Sequence, residues 1–242
     1  MKNIVLISVL FCFFNVILNA QDLTPTLSFS EKPGSYSMHL CFDGNLYYSV
    51  NGGVPAVGKI SSFTLQGNFI KSYPILLDMR SIMYNKKDKS FYVTTTNRKI
   101  FRIIDMIAGT YELVFSNLYE NKQASLSFGH KGKNLYAFDQ GTVSIYNFKT
   151  GALIRTLAGL KCGDGNRKGA GTVAVDKEFI YTWDAATSEV YSYDMEGKFV
   201  KSFVLSDGDF GYSLSYANGM IFVSHSPQGK TGHWYGYNLW GR

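Results

Sequence analysis

A two-residue apolar motif, aliphatic or aromatic and then aromatic, recurs along the chain: Leu46-Tyr47, Phe91-Tyr92, Leu135-Tyr136, Ile180-Tyr181 and Ile221-Phe222. Counted from the second residue, the steps are 45, 44, 45 and 41. A column of turn glycines runs beside it: Gly67, Gly109, Gly151, Gly197 and Gly241 are separated by 42, 42, 46 and 44 residues. Two columns sharing a period near 44 define five repeats. A unit of ~40–50 residues is the size of a four-stranded propeller blade.

Each unit divides into four short runs with strand periodicity. In the fourth unit these are 172–176, 179–183, 189–193 and 199–205, with polar turns at 184–188 and 194–197. In its third run Val190, Ser192 and Asp194 alternate with Tyr191 and Tyr193, the period-2 pattern of a strand. The third unit repeats the scheme at 124–128, 135–138, 142–146 and 152–157. Beyond residue 20 no stretch holds a 3.6-residue apolar period over a dozen positions. The expected fold is therefore all-β: a β-propeller of about five four-stranded blades. The fifth unit ends at Gly241-Arg242, after its third strand, so one strand is missing. Residues 23–30, rich in Thr, Leu and Phe, are expected to pair at the edge of blade five. The ring is thus closed by the N-terminal strand, which removes an exposed edge. A fragment of a larger ring is the competing expectation.

The innermost strands carry a further pattern. One face holds Leu40 and Phe42, Ile82 and Tyr84, Leu126 and Phe128, Val173 and Val175, and Leu214 and Tyr216. The other is mostly small, with Ser125, Ser127, Thr172, Ala174, Ser213 and Ser215, as blades converging on a narrow axis require. Cys41 and Met83 depart from the small column.

Composition agrees with an ordered β-protein. The 242 residues are 45% apolar and 17% charged, too apolar for a disordered chain. Seventeen Tyr and 18 Phe against 5 Pro favour strands. Three Cys are too few for a disulfide scaffold.

The first twenty residues are an address rather than part of the fold. Lys2 precedes an apolar run from Ile4 to Leu18, broken only by Ser8 and Asn15, and polarity returns at Gln21-Asp22. This is the layout of a signal peptide over residues 1–20, cut after Ala20. An uncleaved anchor is the alternative, but the run falls short of the ~20 apolar residues a span takes. Residues 21–242 then form a single β-propeller domain, secreted or periplasmic, with no membrane span after cleavage. Without Lys2 the chain has 23 basic and 18 acidic residues, a dispersed +5. Export and the absence of a basic stripe argue against nucleic acid as a partner. Cys41 and Cys162 remain, and the residues alone leave open whether they pair.

The fourth unit, with GTVAVD at 171–176, IYTWD at 180–184 and VYSYDMEGKFVKSF at 190–203, resembles an NHL-like or YVTN-like propeller repeat. The third unit resembles it less closely and the others in outline. The Gly-His and Trp-Asp pairing of WD40 repeats does not recur. The resemblance implies a propeller that binds other molecules. A minority of related propellers are lactonases or lyases with an axial metal.

Propeller ligands commonly meet the face built from second-to-third-strand loops and inter-blade loops. Here those loops include 51–58, 95–98, 139–141, 184–188 and 224–232, and 77–80, 119–123, 161–170 and 206–210. They place Arg80, Arg98, Asp139, Trp183, Asp184 and His225 as candidate ligand-binding residues. The competing readings are that Asp139 and Asp184 cap turns and that Trp183 packs. The four histidines, His39, His130, His225 and His233, show no ligand spacing, so no metal or other cofactor is expected. No G-x-S-x-G elbow or Cys–His pattern is present. The expected function is a monomeric, non-enzymatic binding module that takes a protein or a glycan on its loop face. The alternative is a small secreted hydrolase or lyase with carboxylates or a metal at the axis, for which His39, Asp78 and Asp209 are the residues.

Overall fold

The computed structural model describes residues 21–31, 36–129, 131–227 and 230–241. The expected signal segment and His130 lie outside the described residues. Two short strands, β1 (Gln21–Leu23) and β2 (Leu27–Ser30), precede the first repeat. Blade one then comprises β3 (Ser37–Phe42), β4 (Tyr47–Asn51), β5 (Lys59–Phe63) and β6 (Phe69–Pro74). Blade two comprises β7 (Met79–Asn85), β8 (Ser90–Thr95), β9 (Lys99–Asp105) and β10 (Thr110–Ser116). Blade three comprises β11 (Ser127–Phe128), β12 (Asn134–Asp139), β13 (Thr142–Asn147) and β14 (Leu153–Leu157). Blade four comprises β15 (Ala174–Val175), β16 (Phe179–Asp184), β17 (Glu189–Asp194) and β18 (Phe199–Leu205). Blade five supplies β19 (Ser215–Ala217), β20 (Met220–His225) and β21 (His233–Tyr237). The result is the expected five-bladed propeller.

The missing strand of blade five comes from the N-terminal segment. β2 lies antiparallel to β21, from Leu27 opposite Gly236 to Ser30 opposite His233. The segment does more than one strand's work, however. β1 runs parallel to β18, with Gln21 opposite Phe203 and Leu23 opposite Leu205, and gives blade four a fifth strand. Pro25 divides the two strands, because a residue without an N–H cannot continue a ladder.

Packing follows the alternation of the strands. Five apolar clusters fill the five inter-blade spaces. The large column of the innermost strands sits in them, and Leu40, Ile82, Leu126, Val173 and Leu214 are all fully buried. Each such side chain contributes about 1.5–3 kcal/mol by leaving water.

The small column has a second role beyond fitting a narrow axis. An innermost strand is an edge, and its unpaired backbone groups need partners. Hydroxyls supply them. Ser215 Oγ accepts from the Leu40 amide at 3.0 Å, linking blades five and one. Ser224 Oγ donates to the Ser37 carbonyl at 3.1 Å across the same gap. Ser125 Oγ stands 3.3 Å from the Arg80 carbonyl and 3.0 Å from that of Tyr212. The axis is thus stitched by hydroxyl-to-backbone bonds between blades.

Candidate functional site

The loops joining second and third strands share one end of the ring with the inter-blade loops. Turns joining first and second strands lie at the other end. On the loop face the structure spends much of the polar chemistry internally. Arg80 is buried, and its guanidinium donates to both Asp78 oxygens, at 2.6 and 3.1 Å, and through Nε to Gln123 Oε1 at 2.7 Å. The Gln123 amide donates to Asn121 Oδ1 at 2.9 Å, and Asn121 Nδ2 to Asp139 Oδ1 at 2.8 Å. One hydrogen-bonded chain therefore joins Arg80 to Asp139. Asp139 is exposed and lines a cavity of about 200 Å³ between blades two and three, with Glu120, Asn121 and Thr142.

The other four candidates stand apart from that chain. Arg98 pairs with Glu120 at 2.9 Å, and His225 with Asp209 at 2.9 Å. Asp184 caps its turn by accepting from the Ala186 amide at 2.9 Å. Trp183 is fully buried in the core between blades four and five, and its Nε1 has no partner among the described residues.

The opposite end of the axis opens. A funnel of about 320 Å³ draws its wall from the innermost strands of all five blades and from the turns that follow them in blades two to five. Phe42, Tyr84, Phe128 and Tyr216 line it, each half-buried and each at the same position of its repeat. Val175 holds that position in blade four. The rings are fixed from behind: Phe42 packs 5.2 Å from Tyr47, Tyr84 5.0 Å from Phe91, and Phe128 4.6 Å from Phe148, centroid to centroid. Polar groups complete the wall, with Ser127 inside and Lys86, Asp176, Lys177 and Asn218 from the turns. Asp176 is committed to the fold. Its Oδ1 accepts from the amides of Glu178 and Phe179, and its Oδ2 from the Tyr181 hydroxyl at 2.9 Å. A concave site with apolar walls and a few convergent polar groups is what small ligands occupy. The aromatic part of this wall was visible in the sequence as the large column of the innermost strands. Its position at an open end of the axis was not.

His39 also lines the funnel and is buried. Its Nδ1 lies 2.9 Å from the Ile82 carbonyl, which only accepts, and 3.4 Å from the Ile82 amide, and the shorter contact assigns the proton to Nδ1. Nε2 is left as an acceptor with no partner among the described residues. Burial lowers the imidazole pKa to about 4, against the opposing effect of the Ile82 bond. The unfolded chain takes up a proton near pH 6.5 that the folded chain refuses until about pH 4. Stability therefore falls as pH drops through that window, by roughly 3 kcal/mol at its lower end. Urea unfolding at pH 7 and pH 4 checks this. The wild type is expected to lose that increment, and His39→Gln to escape it. An equal acid loss in both proteins would contradict the assignment.

Cys41 and Cys162 are both free thiols. Burial raises both, Cys41 far above the usual range with a further push from Asp43. Among the described residues no three His, Cys, Asp or Glu side chains gather closely enough to hold a metal ion. No described helix is long and apolar enough to cross a membrane.

No family model and no curated protein matches the sequence. Among solved structures the chain is similar to the glutaminyl cyclase of Myxococcus xanthus. The TM-score is 0.60 at 11% identity, over 90% of this chain and 97% of that one. It also aligns with the WD40 repeats of RRP9, with a TM-score of 0.49 at 11% identity, over 90% and 99% of the two chains. At such identity the cyclase likeness shows a shared propeller fold. Propellers serve widely as binding modules, but a fold hosts many functions, and the site must decide among them.

Proposed function

We propose that the protein is an exported glycan-binding propeller whose ligand seat is the axial funnel. The observation that supports this reading is the ring of half-buried aromatics, Phe42, Tyr84, Phe128 and Tyr216, around a cavity that also holds hydrogen-bonding groups. A sugar offers both surfaces at once: apolar C–H faces that lie against aromatic carbon, and hydroxyls that bond to polar side chains. At about 320 Å³ the funnel is of ligand-binding size. The rings are held by inter-blade packing, so little ordering entropy is lost on binding. The apolar N-terminal run and its polar boundary support export.

The test uses an immobilised glycan array and two variants on opposite faces. Ser127→Phe places a ring inside the funnel and is expected to cut glycan capture at least tenfold, with thermal melts confirming that the variant folds. Arg98→Ala, on the loop face, is expected to leave capture unchanged. The reverse pattern would move the ligand seat to the loop face.

A catalytic reading has one observation of its own, the unpartnered Nε2 of His39 in the funnel wall, a neutral base at pH 7. Under that reading His39→Gln abolishes turnover of a bound ligand while leaving its affinity intact.

A further inference from the structure

Beside the funnel, a groove of about 140 Å³ runs between blades four and five. Funnel and groove share Asp176, Lys177, Tyr216 and Gly219 as a common wall, so they adjoin. The far part of the groove is lined by Trp240, Leu239 and Asn238. Trp240 is half-buried and held in place. Its ring stacks on Phe179 at 4.5 Å and 19°, meets Phe203 edge-on at 5.1 Å, and donates Nε1–H to the Tyr181 hydroxyl at 2.9 Å.

On the turns around this opening six lysines face four acids. Lys86 and Lys177 line the funnel, and Lys87, Lys89, Lys131 and Lys133 stand exposed on the same set of turns. The acids of those turns keep their charge but direct their oxygens to donors within the turns. Asp43 accepts from the amides of Asn45 and Leu46, and Asp88 from the Tyr92 hydroxyl and the Ser90 amide. Asp176 serves the three donors named above, and Glu178 pairs with Lys177 at 2.9 Å. Lys86 has no carboxylate within ion-pair distance among the described residues. Lys86 thus stands at a concave mouth with its charge unpaired, and such a cation attracts an anionic group.

We propose that funnel and groove form one two-subsite cleft for an acidic oligosaccharide. Its carboxylate sits beside Lys86, and the adjoining sugar lies against Trp240. This rests on the glycan reading above and names its ligand class. Two joined subsites raise affinity for a dimer over a monomer, because the second contact is made within one complex.

Calorimetric titration of the purified protein tests it, with galacturonic, glucuronic and mannuronic acids, their dimers, and the matching neutral dimers. At least one acidic dimer is expected to bind tenfold or more tighter than its monomer and than its neutral counterpart. Lys86→Gln is expected to remove about tenfold of that affinity and to shrink the preference for acidic over neutral dimers. Raising the salt concentration acts in the same direction. The dimer, and not the monomer, is expected to change tryptophan fluorescence, and Trp240→Phe to abolish that change. The fluorescence readout keeps the second subsite testable where Trp240→Ala fails to fold. Neutral dimers binding as tightly as acidic ones would overturn this proposal and leave the glycan reading standing. A dimer that binds no better than its monomer, or an unaltered signal in Trp240→Phe, would overturn the second subsite. Binding of no saccharide at all would remove both readings.

Discussion

Deletion of residues 21–31 is expected to abolish the cooperative fold. Those eleven positions hold both strands that clasp the ring, β2 on blade five and β1 on blade four. Phe29 on β2 is 5% exposed and packs among Tyr47, Phe63 and Phe222, with centroid distances of 6.2, 4.9 and 6.3 Å. Emptying such a site costs about 3–5 kcal/mol by itself. The deletion also strips the hydrogen-bonding partners from β21 and leaves an apolar edge open to solvent. A domain has only about 5–15 kcal/mol to lose in total. The shortened protein is therefore expected to melt without a sharp transition and to be cut rapidly by protease. A synthetic peptide of residues 21–31, added in trans, is expected to restore part of the transition by pairing with the same edge. A deletion protein with a wild-type melt would show that the clasp is dispensable.

Replacement of Glu31 by alanine is expected to cost about 3 kcal/mol, since bonds to a charged group are worth about 1.5–3 kcal/mol each. Glu31 is 3% exposed and follows β2 directly. Its Oε2 accepts from Trp234 Nε1 at 3.0 Å in blade five and from the Ser49 hydroxyl in blade one. One carboxylate thus joins the first and last blades across the closure. Without it, two donors lose an acceptor in a buried place, and the indole of fully buried Trp234 has no water to turn to. For a domain of this size the melting temperature falls about 2–4 °C per kcal/mol, so a drop of roughly 6–12 °C is expected. Glu31→Gln keeps an acceptor and is expected to lose less. In a Trp234→Phe background the Glu31→Ala cost is expected to shrink, because one of the two donors is already gone. Urea titration of the four proteins measures this coupling. A Glu31→Ala midpoint equal to the wild type would show that the carboxylate does not hold the closure.

Much of the architecture was legible in the chain. The recurrent apolar pair marks the second strand of every blade, because that strand is covered on both faces: Tyr47, Tyr92, Tyr136, Tyr181 and Phe222 are all buried. The missing fourth strand of blade five and the strand-like N-terminal segment predicted each other, since a ring that ends one strand short must find it elsewhere. Period-2 patterns and turn residues are local properties, and local properties survive in a sequence read alone.

Only the tertiary structure decided how distant segments meet. Position in the repeat could not separate buried Arg80 from half-buried Arg98, because burial depends on loops from neighbouring blades: Asp78 and Gln123 enclose the first guanidinium. Trp183 stands at a strand end, as expected, yet faces the core between blades four and five. The parallel pairing of β1 with β18 joins residues about 180 apart and has no local signature. The open end of the axis is likewise a collective outcome, set by five strands and four turns converging at once. The sequence determined the blades by itself, because each is built from neighbours along the chain. Which end of the ring opened, and what charge met there, was left to contacts between blades.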